Sequence, residues 1–333
     1  MEIGLMELEN LTTKALKNYG YNDSETAIIC NILLYAQLRG NNQGVVKLIG
    51  PGIPKNKQAS EIHIEKETPV SARINGNQNQ AMLVVSKALE VVLKKVESSG
   101  FGIVGTFNTA TSSGAIGYFA SEIAKKGFVG MVFASSPPIV ATSGSYEPIY
   151  GTNPLAVGIP TQKDPIVLDI STSAMAFYGL IEAETAGKQI PDDVAYDKVG
   201  NPTTNPTLAL EGALKTFDRS YKGSGLAMIV EILAGPLVGS ACAGVRDNET
   251  NWGHLLIAID PELLGDRKEF IDYVSVFVEK VKSTKKLPEI SEIYVPGEKG
   301  NRKTNLARTS GKIEIEDNLL EELRKVAAVS QNE

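Results

Sequence analysis

The chain has 333 residues, enough to bury a large core and to form two or more lobes. Its 42% apolar and 22% charged residues make it a soluble globular protein by composition, and the net charge of -6 without a basic stripe argues against a nucleic-acid partner. Cys30 and Cys242 are expected as free buried thiols in a reducing cytoplasm, and two histidines, His63 and His254, are too few for a His/Cys metal cluster.

The N-terminus, MEIGLMELENLTTKALK, starts acidic and lacks the cationic-then-apolar order of a signal peptide. Asp23 and Ser24 read as an N-cap for a helix carrying Ala27, Ile28, Ile32 and Tyr35 and ending at Gly40. EIHIEKE alternates as a strand with one wet face, which puts His63 on the surface. AMLVVSKALEVVLKKVESSG is a helix with Val85, Leu89, Val92 and Val96 inward.

GFGIVG, residues 100–105, has the letters of a dinucleotide fingerprint, G-x-G-x-x-G. That motif works only after a strand and before a helix. Here it follows a helix and opens a strand, so Gly100 reads as a C-cap and the rest as packed core. A helix then starts after Thr111-Ser112-Ser113 and stops at Gly127, and FVGMVFASS is a buried strand.

LAVGIP and PIVLDIS read as paired strands, TSAMAFYGLIEAETAGK as a helix, and DDVAYDKVGNPTTNPTLALEG as a long surface excursion. YKGSGLAMIVEILAGPLVG is a glycine-rich turn into a central apolar helix. Its most apolar part, Leu226 to Val238, reads as too short for a membrane span and carries Glu231 and Pro236. HLLIAID is a strand, with His254 at its start expected to be capped or solvent-bonded. PELLGDRKEFIDYVSVFVEKVK is a helix with Phe270, Val274, Phe277 and Val281 inward. EIYVPGEKGNRK is a loop, and a last helix begins near Asp317. Strands alternating with helices predict an α/β protein.

Three places combine helix starts with small polar residues. LDISTSA offers Asp169, Ser171, Thr172 and Ser173 with free amides suited to an anion, though an ordinary Ser/Thr cap explains them equally. YKGSG sets Lys222 beside the amides of Gly223-Ser224-Gly225, which close helix packing would also explain. VPGEKG is weaker: Glu298 is a ribose ligand or a solvated side chain. No Ser-His-Asp set is apparent, and YKGSGL lacks the first glycine of G-x-S-x-G.

LRGNNQGVVKL, NTATSSGAIGYF, YGTNPLAVGIP, VLDISTSA, YKGSGLAMIVEILAGPL and VPGEKG together resemble the malate/L-lactate dehydrogenase family that lacks a Rossmann fold. The resemblance spans roughly residues 22 to 300. It implies a non-Rossmann α/β fold: a helical N-terminal segment with its first strand (1–75), a mixed-sheet cofactor domain (76–300) and a C-terminal segment returning to the N-terminal lobe (301–333). It implies a homodimer whose second subunit contributes to the site. It also implies hydride transfer between NAD or NADP and a small 2-oxo or 2-hydroxy acid. The cofactor would meet Asp169, Ile170, Ser171, Thr172, Ser173 and Ala174, then Tyr221 and Lys222, then Gly297, Glu298 and Lys299, with Ser135 a further contact. Arg39, Lys47, Thr152 and Asn153 would bind substrate, Lys47 standing where the family has an arginine.

Two departures concern the chemistry. The family's LRGxDSHGV histidine is replaced by Gln43 in LRGNNQGV, and a second histidine, in a segment like NSNHFGA, has Thr111 and Ser112 nearest its place in NTATSSGA. A positioned acid typically contributes about 10²–10⁴-fold, and glutamine cannot supply a proton near neutral pH. Four readings stay open. Gln43 polarises the carbonyl while water or Lys47 gives the proton; Lys47 or Lys222 is itself the acid; the substrate is a cyclic imine already protonated; or the protein binds without turnover.

Overall fold

A computed structural model of the chain describes residues 1–242, 245 and 251–329, so the last four residues of the expected C-terminal segment lie outside it. In chain order the elements are β1 (Glu2–Gly4), α1 (Leu5–Asn18), α2 (Asp23–Leu38), a 3-10 turn (Val45–Leu48), β2 (His63–Glu67), β3 (Ser71–Asn75), α3 (Ala81–Ser99), β4 (Phe101–Thr109) and α4 (Gly117–Lys125). There follow β5 (Val129–Ala134), β6 (Val140–Ala141), β7 (Pro148–Tyr150), β8 (Leu155–Ile159), β9 (Ile166–Ile170), α5 (Phe177–Thr185), β10 (Ala195–Tyr196), α6 (Pro206–Glu211) and β11 (Ala213–Leu214). The chain closes with α7 (Tyr221–Ala234), β12 (Trp252–Ile259), α8 (Arg267–Lys282), α9 (Glu298–Ser310), β13 (Lys312–Glu314) and α10 (Asp317–Ala328).

Seven strands form one sheet in the order β2-β3-β4-β12-β5-β8-β9. Only β3 and β4 run parallel; every other neighbour is antiparallel. A doubly wound nucleotide fold needs a mostly parallel sheet, so this one is not Rossmann. α3 and α4 cover one face, and α7 lies against β5 and β12. The two chain ends meet where β1 pairs with β13 and α1 packs on α10.

The glycines of GFGIVG serve packing. Gly100 is the left-handed C-cap of α3, at φ 71°. A Cβ on Gly102 would lie 2.7 Å from the Val92 carbonyl oxygen, and one on Gly105 would lie 2.6 Å from Val238.

Several expectations need correction. The α2 cap is Asn22, not Asp23 or Ser24; it forms a capping box with Glu25. β2 is an edge strand exposed on both faces. α5 starts at Phe177, several residues later than TSAMAF suggests. The 192–212 excursion is no bare loop: β10, β11 and α6 join β6 and β7 in a small lobe around Val140, Leu180, Ile190, Val194 and Leu214. α8 buries no residue fully, and Phe277 points outward at 60% exposure. The loop assigned to EIYVPGEKGNRK becomes α9 from Glu298 onward. Cys242 is half-exposed and follows the α7 region outside any helix, whereas Cys30 is buried. His254 is neither capped nor solvated: it is fully buried in β12, hydrogen-bonded through Nδ1 to Thr106 at 2.8 Å, and burial drives its pKa down to about 3.

Tyr221–Val238, 18 residues, is long and apolar enough by length and composition alone to cross a membrane, contrary to the shorter reading above. It is α7 followed by a 3-10 turn at Pro236–Val238, broken at Gly235. Its inner face, Ala227, Val230, Glu231 and Ala234, is buried, as in the core helix of a globular protein.

Candidate active site

A cavity of about 1020 Å³ opens between the C-terminal end of α2, the segment after β4, the ends of β5 and β9, α5 and the start of α9. That is the upper end of the small-molecule range, roughly 300–1,000 Å³. Its apolar walls include Pro137, Pro138, Ile139, Phe177 and Trp252. Its polar groups include Arg39, Asn42, Gln43, Ser112, Thr152, Asp169 and Ser171.

Lys47 is the decisive side chain. The apolar residues around it in VVKL are all buried, and the 3-10 turn carries the lysine inside with them, at 0% exposure. Its Nζ donates to Ser112 Oγ at 2.6 Å and sits 3.5 Å from the centre of the Tyr178 ring. No carboxylate pairs with it among the described residues. Burial therefore drives its pKa well below the usual lysine value, against the ring's preference for the cation. Lys47 does not itself line the cavity; Ser112 and Tyr178 do, so the amine communicates with the cavity through the Ser112 hydroxyl.

Asp169 stands in the wall at the N-terminal end of α4. Its Oδ2 accepts from the Gly117 amide at 2.9 Å, and a Cβ at Gly117 would lie 2.7 Å from that oxygen, so only glycine fits. Burial raises its carboxyl to about 6, an increase the Gly117 hydrogen bond only partly offsets. Arg39 stacks on Tyr35, 3.7 Å from the ring centre, and donates to Asn301 at 2.6 Å and Thr304 at 3.4 Å. Gly300 leaves room for it: a Cβ there would lie 2.9 Å from Arg39 Cγ. Among the described residues the side chains of Asn42 and Gln43 make no hydrogen bond, and both residues line the cavity; the Gln43 amide is held by Asn41.

Other predicted residues fall elsewhere. Asn153 is fully buried and turns away, donating to Glu231 at 2.6 Å and to the Ala227 carbonyl at 3.1 Å, so it anchors α7 and does not line the cleft with Thr152. Ser135 clips β5 to Gly253, whose amide it accepts at 3.0 Å; its neighbour Ser136 is the one in the cavity wall. Thr111, at φ 58°, keeps its hydroxyl buried without a hydrogen-bond partner among the described residues. Ile170, Thr172, Ser173 and Ala174 do not line the cavity. The amides of Thr172 and Ala174 are spent on Thr152 at 3.0 Å and Lys215 at 2.7 Å, so LDISTSA holds no free helix start.

YKGSG is likewise saturated. The helix begins at Tyr221, Ser220 caps the Lys222 amide, and the Asp218 carboxylate accepts from the amides of Ser220 and Gly223, each at 3.0 Å. Asp218 occupies the place an external anion would take. Tyr221 and Lys222 are exposed. In VPGEKG the glycines Gly297 and Gly300 line the cavity; Glu298 pairs with Lys282 on its far side, and Lys299 lies over Tyr294 at 4.8 Å. The residues missed from sequence are Asn42, inside LRGNNQGVVKL, Ser136, at the end of FVGMVFASS, and Tyr178 and Glu182 on α5.

The fold and this cavity find counterparts in known proteins. The profile described as malate/L-lactate dehydrogenase matches residues 3–324. The chain belongs to the malate/L-lactate dehydrogenase family. It is 34% identical to the malate/(S)-sulfolactate dehydrogenase of Methanothermus fervidus, covering 98% of this chain and 97% of the relative. It is 29% identical to the NAD(+)-dependent ureidoglycolate dehydrogenase of Escherichia coli K12, covering 97% and 95%. The malate dehydrogenase structure from Pyrococcus horikoshii superposes with a TM-score of 0.85 at 28% identity, covering 99% of this chain and 96% of that one.

Proposed function

We propose that this chain is an oxidoreductase that moves a hydride between NAD or NADP and a small 2-oxo or 2-hydroxy acid, with Ser112 and Lys47 supplying the proton. Family membership over nearly the whole chain supports the reaction class, and the Lys47–Ser112 hydrogen bond carries the assignment of the proton. The cavity's size, its apolar walls and the glycine edge at Gly297 and Gly300 suit a nicotinamide. The saturated amides at YKGSG and LDISTSA leave a pyrophosphate to other donors. The cofactor, when bound, supplies or takes the hydride. The chain's own residues do the rest. Arg39 provides a positive charge for the substrate carboxylate. Gln43 and Asn42 offer free amides toward a carbonyl oxygen. In the reductive direction the carbonyl carbon gains the hydride and its oxygen a proton from Ser112 Oγ, which Lys47 replaces from its ammonium. An amine whose pKa burial has lowered gives up its proton more readily than an ordinary lysine.

Measuring NADH and NADPH binding by calorimetry, then their oxidation with pyruvate, oxaloacetate and a cyclic imine carboxylate, tests this reading. Turnover of keto acids is expected. Turnover of the imine alone would replace the proton relay with a substrate that brings its own proton, and failure to bind either cofactor would end the reading.

Assembly and location belong to the same proposal. α7 leaves Tyr221, Met228, Ile229 and Ile232 exposed, with Leu237 beyond, an apolar stripe that a second copy would cover. Light scattering should give a dimer, and Ile229→Asp with Ile232→Lys a monomer. Unpaired Cys30 and Cys242 suit a reducing cytoplasm, which fractionation would test.

A further inference from the structure

Arg39 lines the cavity, half-buried, as a cation without an ion pair among the described residues. Of the guanidinium's five N–H groups, only two are engaged there: one donates to Asn301 Oδ1 at 2.6 Å and one to Thr304 Oγ1 at 3.4 Å. Its flat face lies on Tyr35, 3.7 Å from the ring centre. Burial lowers its pKa and Arg308 adds a like charge, against the opposing pull of Tyr35, Asp164 and Glu122.

The socket around Arg39 is formed by groups that are themselves fixed. Thr304 is buried and donates its hydroxyl proton to the Gly300 carbonyl at 3.0 Å, so toward Arg39 it can only accept. Tyr35 donates through Oη to the Gly117 carbonyl at 3.2 Å and meets Tyr118 edge to face. A Cβ at Gly300 would lie 2.9 Å from Arg39 Cγ and 3.2 Å from Cδ, so glycine leaves the path of the side chain open. Asn301 and Thr304, three residues apart, share one face of α9, and neither lines the cavity.

Two neutral acceptors and an aromatic face thus hold the guanidinium and leave its charge and its other donors for a ligand. A carboxylate in place of the Asn301 amide would hold it more tightly, as a charge-assisted pair, and would cancel that charge. A contact that only joined α2 to α9 would gain by the exchange. An arginine that binds an anion would lose by it.

On the footing of the function just proposed, we infer that Asn301 and Thr304 are positioning residues for the substrate carboxylate: they fix Arg39 in the cavity wall, and their neutrality keeps its charge available to the acid. Both act through Arg39.

Asn301→Asp and Asn301→Ala make the test, with oxamate, an unreactive carboxylate of the size of pyruvate, as the probe. Calorimetry reads the binding of NADH and NADPH, then of oxamate to the protein loaded with the better cofactor, or to the free protein if neither binds. In Asn301→Asp the thermal midpoint should stay level or rise, because an acidic residue suits the first turn of a helix. Cofactor affinity should stay within twofold, while oxamate binds about tenfold more weakly beside the new negative charge. Asn301→Ala releases Arg39 without adding charge. Oxamate binding should again weaken by roughly tenfold, and KM for pyruvate should rise by the same factor with kcat within threefold.

An Asn301→Asp protein that binds oxamate as tightly as the native one would make the contact a structural clip and overturn the proposal. So would variants that lose oxamate and cofactor together, or a native protein that binds no oxamate. The parent reading fails separately: if these oxamate shifts appear but no keto acid is reduced, the role of Asn301 stands and the oxidoreductase falls.

Discussion

Two parts of the chain pair a lysine with polar small residues, and they end in opposite states. At the start of α7, Lys222 is exposed, and the amides it was expected to assist are capped by Ser220 and Asp218. Behind the cavity, Lys47 is fully buried, with one hydroxyl, one aromatic ring and no counter-ion among the described residues. The first arrangement is complete and can bind nothing further there. The second buries an ionisable amine without a counter-ion among the described residues, a cost the fold has no structural reason to carry.

The largest test of that contrast is Lys47→Met. Removing the relay should lower kcat by about 10²–10⁴-fold. Exchanging a lone buried amine for an apolar side chain of similar length should leave thermal stability unchanged or raised. The pH dependence sharpens this. The folded pKa of Lys47 lies below its unfolded value, so between the two the unfolded chain binds more protons. Native stability therefore rises with pH through that window and falls as pH drops through the folded pKa. Denaturant titrations between pH 7 and 10 should show that slope in the native protein and a flatter one in Lys47→Met. Equal slopes, or an unstable variant of undiminished kcat, would show that Lys47 is a structural side chain.

Asp169, in the cavity wall, is the acidic counterpart of the lysine behind it, and its expected effect is next in size. Its folded pKa, about 6, stands above the ordinary 3.8, so the native state holds the proton more tightly. The stability this contributes is present below pH 3.8 and lost as pH rises through 6. About two pKa units correspond to something on the order of 3 kcal/mol at neutral pH. Asp169→Asn should recover part of that at pH 8 and little at pH 4, as chemical denaturation at the two pH values would read. A destabilised Asn variant at pH 8 would mean that the Gly117 hydrogen bond outweighs the burial cost.

Much of this architecture was legible because local chemistry and burial agreed. The α3 stripe of Val85, Val92 and Val96, the Gly100 cap and the paired strands β8 and β9 obey the periods their sequences announce. What escaped lacked such a period. α9 buries only Thr304 and Ala307 and is tied down by Arg39–Asn301, 262 residues apart, and Lys282–Glu298, 16 apart across the loop that joins α8 to α9. The strands of the small lobe are two or three residues long, too short to alternate. The site was half legible. Resemblance pointed to Lys47 and Ser112, but their hydrogen bond, and the saturation of YKGSG by Asp218, depend on three-dimensional closure.

GFGIVG makes the same point at a third place, with a smaller effect. In Gly102→Ala the new methyl would press on the Val92 carbonyl of α3, which cannot move without bending the helix. Overpacking of this kind costs about 1–3 kcal/mol. Thermal unfolding should register that loss while the cofactor dissociation constant stays within twofold. A stable variant with tenfold weaker cofactor binding would return the motif to the cofactor site.

The smallest effect belongs to the complete arrangement. Ser220 Oγ accepts from the Lys222 amide at 3.2 Å and donates to the Asp218 carboxylate, which itself holds the amides of Ser220 and Gly223. Ser220→Ala removes one cap of two, so the expected loss is about 1 kcal/mol of stability or less. Because the group lost does not titrate, that loss should be the same at pH 6 and pH 9, unlike the slope assigned to Lys47. Because the amide faces the chain's own carboxylate, kcat should stay within twofold. A tenfold fall in kcat for a fully folded Ser220→Ala protein would mean that the α7 terminus reaches the chemistry after all. The contrast between a satisfied and an unsatisfied lysine would then no longer identify the site.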